Sequence, residues 1–88
     1  MPQVLIPPPY RGPTQGSARI RVEGATVLEC LEAVERKYPG FLELVVDEDG
    51  AAQRFVKLFV NGELLEGGLD QPVQPEDEVE ILAAIAGG

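Results

Sequence analysis

The sequence predicts an α+β fold in which one mixed sheet of four to five strands packs on one main helix. Three observations carry that expectation. A single amphipathic stretch of helical period lies between residues 26 and 38, two strand-like runs precede it, and three follow it. The length of 88 residues allows one small domain that folds without staples. Two strands, one helix and three more strands cannot make a doubly wound sheet, but they can curl one sheet over one helix and leave its other face open.

Gln3-Val4-Leu5-Ile6 is a short apolar run stopped by Pro7-Pro8-Pro9, which cannot donate to a ladder. Tyr10 to Gly16 is rich in Gly, Pro and polar residues and reads as a loop. Ala18, Ile20 and Val22 then alternate with Arg19, Arg21 and Glu23, the pattern of a strand with one buried face, which can pair with the first run. Thr26, with Glu29 three residues later, matches a capping box, so a helix starts there. Val27, Leu31, Val34 and Tyr38 form its apolar stripe, with Leu28 and Cys30 on the flanks and Glu29, Glu32 and Arg36 facing away. Pro39-Gly40 stops the helix.

Phe41 to Val46 fits either a second short helix or a strand, and a helical turn is preferred. Asp47-Glu48-Asp49-Gly50 reads as a solvated turn, because the bidentate Glu of a calcium loop would fall on Leu58. Phe55 to Val60 is the best strand in the chain, Asn61-Gly62 is a strong hairpin signal, and Glu63-Leu64-Leu65 returns as the partner strand. Residues 67–73 wander. Pro75-Glu76-Asp77 turns into the final strand, Glu78 to Leu82. The division expected is a domain over residues 1–82 and a flexible tail over 83–88.

Composition narrows the function classes. Fifteen acidic against seven basic residues give a net charge of −8, which argues against nucleic acid or an anionic membrane surface and favours a basic patch on another protein. With one cysteine and no histidine, this chain offers neither a disulfide nor the ligands of a zinc or iron–sulfur site, so no metal is expected. No nucleophile and base pair is evident, which argues against a stand-alone enzyme. The N-terminus lacks the features of a signal peptide and no apolar run approaches the ~20 residues of a membrane span, so the expected compartment is the cytoplasm. Cys30 has no Lys, Arg or His at helical spacing to lower its pKa and reads as buried and inert.

Two features point to a working surface. On the open face, Phe55, Lys57 and Phe59 alternate with the inward residues of one strand, and Glu78, Glu80 and Leu82 with those of another. Large apolar side chains gathered there mark an interaction site, the two phenylalanines being equally readable as core. Glu76, Asp77, Glu78 and Glu80 would steer association with a basic partner. The second feature is the end, Ala84-Ile85-Ala86-Gly87-Gly88. Two terminal glycines are costly to order and fit either a frayed end or a tail that threads a narrow channel and presents a carboxylate.

With the capped helix, the Phe-Val-x-x-x-Val-Asn run at 55–61, the Pro-x-Asp-Glu-Val turn and strand at 75–79 and the Ala-Gly-Gly terminus, the chain resembles the ubiquitin-like sulfur carriers of the MoaD/ThiS family. That family includes the small subunit of molybdopterin synthase and the sulfur carrier of thiamine biosynthesis. Ile6-Pro7, Arg11, Thr14-x-Gly16, Tyr38-Pro39-Gly40, Arg54-Phe55-Val56 and Gly67-Gly68-Leu69 look most like the carriers of actinobacterial cysteine biosynthesis. The resemblance implies a ubiquitin-like β-grasp fold.

For function, it implies a carrier whose Gly88 carboxylate is adenylated and then converted to a thiocarboxylate, a sulfur nucleophile. Ile85 would anchor the extended tail and Gly87 would pass the constriction at the reacting centre. The implied partners are an ATP-dependent activating enzyme of the ThiF/MoeB type, which uses ATP with magnesium, and a downstream synthase that accepts the sulfur. That synthase would resemble a cysteine synthase or the large subunit of molybdopterin synthase. The free carrier would be a monomer with no permanently bound cofactor. The alternatives are a ubiquitin-like modifier linked to lysines through Gly88 and a constitutive small subunit of a two-protein enzyme.

Overall fold

The computed structural model describes residues 1–83. Its elements in chain order are β1 (Gln3–Leu5), a 3-10 turn (Pro8–Tyr10), β2 (Arg19–Arg21), α1 (Val27–Lys37), α2 (Leu42–Val45), β3 (Val56–Val60), β4 (Glu63–Leu64) and β5 (Glu78–Ala83). The five strands form one sheet in the order β2-β1-β5-β3-β4. All neighbours are antiparallel except the central pair β1 and β5, which run parallel with Val4 opposite Val79. This is the β-grasp arrangement: the first and last strands lie side by side at the centre, and α1 crosses one face.

Alternation sets the two faces of the sheet. Val4, Ile20, Val56, Leu58, Val60, Val79 and Ile81 point to the helix side and are buried. From α1 they meet Val27, Cys30, Leu31 and Val34, all fully buried. Cys30 therefore sits within the stripe rather than beside it. Tyr38 is only partly buried at the C-cap, where the helical path has already ended. Ala18 is exposed, because β2 begins one residue later and its run of inward positions is shorter than the alternation suggests.

The helix starts as expected. The Thr26 side chain accepts the Glu29 amide at 3.1 Å, and the Glu29 carboxylate reaches back to the amide of Ala25, one residue before the cap, at 2.9 Å. The other first-turn amides are taken by the chain that follows β4. Val27 N donates to the Gln71 carbonyl (3.0 Å) and Leu28 N to the Leu69 carbonyl (2.8 Å). These bonds satisfy helix donors that have no intrahelical acceptor. They also pin residues 69–73 against the core, which is why Leu69 and Val73 are buried although nothing in their spacing announces it.

Gly24 precedes the cap at a close approach. A Cβ there would stand 2.8 Å from the Cys30 amide nitrogen and 2.9 Å from its sulfur. Backbone and a buried side chain cannot both give way, so Gly24→Ala is expected to destabilise the domain by about 1–3 kcal/mol through overpacking. The check is a lowered denaturant midpoint at unchanged slope.

Of the ambiguous segments, residues 42–45 are helical, in line with the preferred reading. Asp47 closes a turn by accepting the amides of Asp49 and Ala51 at 2.8 and 3.0 Å. Asn61 and Gly62 both take positive φ (52° and 85°), the geometry of a two-residue hairpin turn of right-handed strands. The final strand runs to Ala83, one residue beyond the expected domain boundary. No helix among the described residues is long and apolar enough to cross a membrane.

Candidate functional site: the open sheet face and the end of β5

The face away from α1 is built by the residues that alternate with the core. Register lines up Leu64, Phe59, Glu80, Leu5 and Arg19 across the five strands, and Lys57 lies opposite Leu82 one step nearer the end of β5. Among the described residues no helix covers this face. Leu64 is 48% exposed and Leu82 41%, while Phe59 and Leu5 are half-buried by their neighbours. Singly exposed leucines need no explanation, but here four large apolar side chains share one uncovered face, two of them exposed and two half-buried.

Both phenylalanines lie outside the core. Phe59 is on the open face of β3. Phe55 falls in the turn just before β3, 48% exposed, with the Arg54 guanidinium 5.7 Å from its ring centre. Val56, the next residue, pairs with Ala83, so Phe55 stands beside the place where β5 ends. Leu5 and Leu64 also belong to this surface. Leu5 could have been found from its alternation with Val4 and Ile6; Leu64 had only a two-residue strand to signal it.

The acids divide. Glu76 is exposed in the turn before β5. Glu78 lies on the open face and pairs with Arg19 at 2.9 Å, an exposed pair of small energetic weight. Glu80 lies on the same face, half-buried between Phe59 and Leu5.

Asp77, which the run of acids suggests as partner surface, has internal hydrogen bonds. One of its carboxylate oxygens accepts the Gln74 amide and the other the Asn61 side-chain amide, each at 2.8 Å, while the Asn61 side-chain oxygen accepts the Glu78 amide at 2.9 Å. The hairpin turn is thereby stitched to the start of β5. The Gln74 amide first, and then Asn61, hold the Asp77 carboxyl below the usual aspartate range, against a small opposing effect of burial.

A depressed carboxyl stabilises the fold above its unfolded value and loses that contribution as pH falls through its folded value. The stability gap between the wild type and Asp77→Asn is therefore expected to be full at neutral pH and to shrink below about pH 4. Denaturation midpoints measured across that range check it. Cys30 shifts the other way: burial, then Glu29 and Asp77, raise its thiol, so it stays protonated and is no rival nucleophile.

Beside the end of β5 the open face deepens into a groove of about 340 Å³ between β1, Pro7-Pro8 and β5. Arg11 and Arg19 stand on its walls with Leu5 and Leu82. Arg11 is fixed by donating from Nε to the Ile6 carbonyl at 3.0 Å, and Arg19 by donating from one Nη to Gln3 (2.8 Å) and Glu78 (2.9 Å). Buried Thr14 braces the loop that carries Arg11, its hydroxyl donating to the Ser17 carbonyl at 3.0 Å. The remaining residues singled out in the sequence, Ala84, Ile85, Ala86, Gly87 and Gly88, lie outside the described residues. Among the described residues no group of acids and cysteine is placed to hold a metal ion.

The likeness to known proteins extends over nearly the whole chain. The sulfur carrier protein CysO of Mycobacterium tuberculosis is 35% identical over 97% of this chain and 96% of its own length. A crystal structure of CysO from the same species superposes with a TM-score of 0.89 at 31% identity, covering 97% of this chain and all of that one. A chain from the crystal structure of the Amycolatopsis orientalis BexX/CysO complex gives a TM-score of 0.92 at 37% identity, with both chains covered completely. The family model described as the ThiS family matches residues 12–88, from the loop after the 3-10 turn through the two terminal glycines. On that match and the shared β-grasp order, the chain belongs to the ThiS family.

Proposed function

We propose that the chain is a sulfur carrier protein whose working group is the carboxylate of Gly88. The observation that carries this reading is the family match through Gly88, joined to near full-length similarity with a protein named as a sulfur carrier. An activating enzyme joins the Gly88 carboxylate to AMP, with pyrophosphate leaving ATP; a hydrosulfide equivalent then attacks the acyl carbon, and AMP departs. The product is a thiocarboxylate. Adenylation supplies the leaving group that a bare carboxylate lacks and so divides one difficult substitution into two easier ones. Magnesium and ATP belong to the enzyme, and the carrier is a cosubstrate rather than a catalyst.

The open face is the docking surface in this reading. Phe59 and Leu82, with Leu5, Leu64 and the neighbouring Phe55, supply apolar contact around the end of the strand that leads to the tail, and Glu76, Glu78 and Glu80 border it. Cysteine synthesis is the favoured destination of the sulfur, on the resemblance at Ile6-Pro7, Tyr38-Pro39-Gly40 and Gly67-Gly68-Leu69. A cysteine synthase-like enzyme is the corresponding acceptor.

The test is intact mass spectrometry after coexpression with an activating enzyme and a sulfide source. The expected result is a mass gain of one oxygen replaced by sulfur, located on the C-terminal peptide. Recovery of Gly88 in isopeptide-linked lysine peptides, with no thiocarboxylate, would assign the chain to protein modification instead.

A further inference from the structure

Four of the seven cationic residues flank β5 from Glu80 onward, in a chain whose net charge is −8. Arg11 and Arg19 line the groove that flanks Glu80, Ile81 and Leu82. Lys57 lies opposite Leu82, and Arg54 precedes the pair of Val56 with Ala83 from the other side. Apart from the bonds that fix Arg11 and Arg19, these groups make no further side-chain hydrogen bond among the described residues, and Arg19, Arg54 and Lys57 are exposed. The acids Glu76 and Glu78 stand at the opposite end of the strand, leaving Glu80 as the acid between.

Arg19 reaches across to Glu78, but Lys57 and Arg54 do not: Leu82, opposite Lys57, is four residues from Glu78, about 13 Å of strand and more than the ~8 Å over which physiological salt screens a charge. A partner gripping the end of β5 therefore meets the local cations rather than the net charge of the molecule.

We infer that Arg11, Arg19, Arg54 and Lys57 form a recognition collar for an acidic partner surface: a protein whose tail-receiving channel is rimmed by carboxylates. The inference rests on the carrier reading above, in which β5 leads the tail into another protein. Arg11 and Arg19 suit the task because their internal bonds hold the guanidinium planes in place, so less side-chain freedom is lost on binding. Together with the acids at the far end, the collar orients the carrier along β5 as it docks.

The experiment measures association of the full chain with its activating enzyme by stopped flow at low and physiological salt. It compares the wild type with R54E/K57E, which alters two exposed side chains, and with R36E, an exposed cation on α1 away from the open face. The double variant is expected to associate roughly tenfold more slowly and to lose the decline of rate with salt, at an unchanged thermal midpoint, while R36E stays near the wild-type rate. Arg11→Gln and Arg19→Gln are expected to fall between. Wild-type rates in R54E/K57E, or equal slowing in R36E, would overturn the collar. Sulfur uptake by the wild type with excess enzyme, read by mass in the same preparations, reports on the carrier reading separately.

Discussion

A chain ending at Gly87 is expected to take up no sulfur, and a chain extended by one residue beyond Gly88 is expected to behave the same until the extra residue is removed. Both changes leave residues 1–83 and the open face untouched, so the activating enzyme should still bind. What they change is the position of the only carboxylate in the reaction. A displacement of about an ångström at a reacting centre already lowers rates about a hundredfold, and one residue shifts the end of an extended chain by about 3.3–3.6 Å. The readout is the mass of the intact protein after incubation with enzyme, ATP and sulfide. Sulfur found on the shortened or extended chain would refute the assignment of Gly88.

The largest effect on the fold is expected at Phe41. Its side chain is fully buried under the corner between α1 and α2, the largest side chain to be so enclosed. The corner is held from both sides by Glu35, whose carboxylate accepts the amides of Leu42 at 2.7 Å and Gly40 at 3.1 and 3.2 Å. Gly40 turns there with φ of 102°, a conformation that residues with a Cβ rarely adopt. With its backbone clamped, the corner cannot collapse into the space that a truncated ring leaves. Phe41→Ala is therefore expected to lose about 3–5 kcal/mol. At a typical ~0.05–0.15 kcal/mol per residue, a domain of this length holds only about 4–13 kcal/mol in all, so the variant should be largely unfolded at mild temperature. Urea denaturation checks it, and Phe41→Leu should retain most of the midpoint.

The clamp also has a pH signature. Backbone amides, that of Leu42 first and then Gly40, hold the Glu35 carboxyl below the ordinary glutamate range, with burial opposing slightly. Its support is present at neutral pH and fades as the group protonates in acid, as at Asp77.

Local chemistry explains what the sequence disclosed about the fold. The Thr26 cap, the Asn61-Gly62 turn and the alternation in β3 and β5 are settled within a few residues and appear where expected. Leu69 and Val73 were illegible because they are buried by the helix amides that their own segment captures, a partnership some 45 residues long in sequence that leaves no period behind. Asp77 looked like one more surface acid between Glu76 and Glu78; only the folded hairpin brings Asn61 to it. The apolar patch on the open face was half legible. Phe59 and Leu82 follow from period two, Phe55 sits in a turn that period two does not describe, and the collar of cations exists only once β1, β3 and β5 are side by side.

The parallel contact between β1 and β5 bears on how the molecule is made. The strand leading to the tail is not an edge but the wedge between β1 and β3, and those two have no ladder with each other. During synthesis, β1, β2, α1 and the β3–β4 hairpin emerge first and must wait as fragments, since the sheet has no centre until β5 arrives. A chain cut short within β5 lacks the strand that joins the halves and is left open to proteolysis.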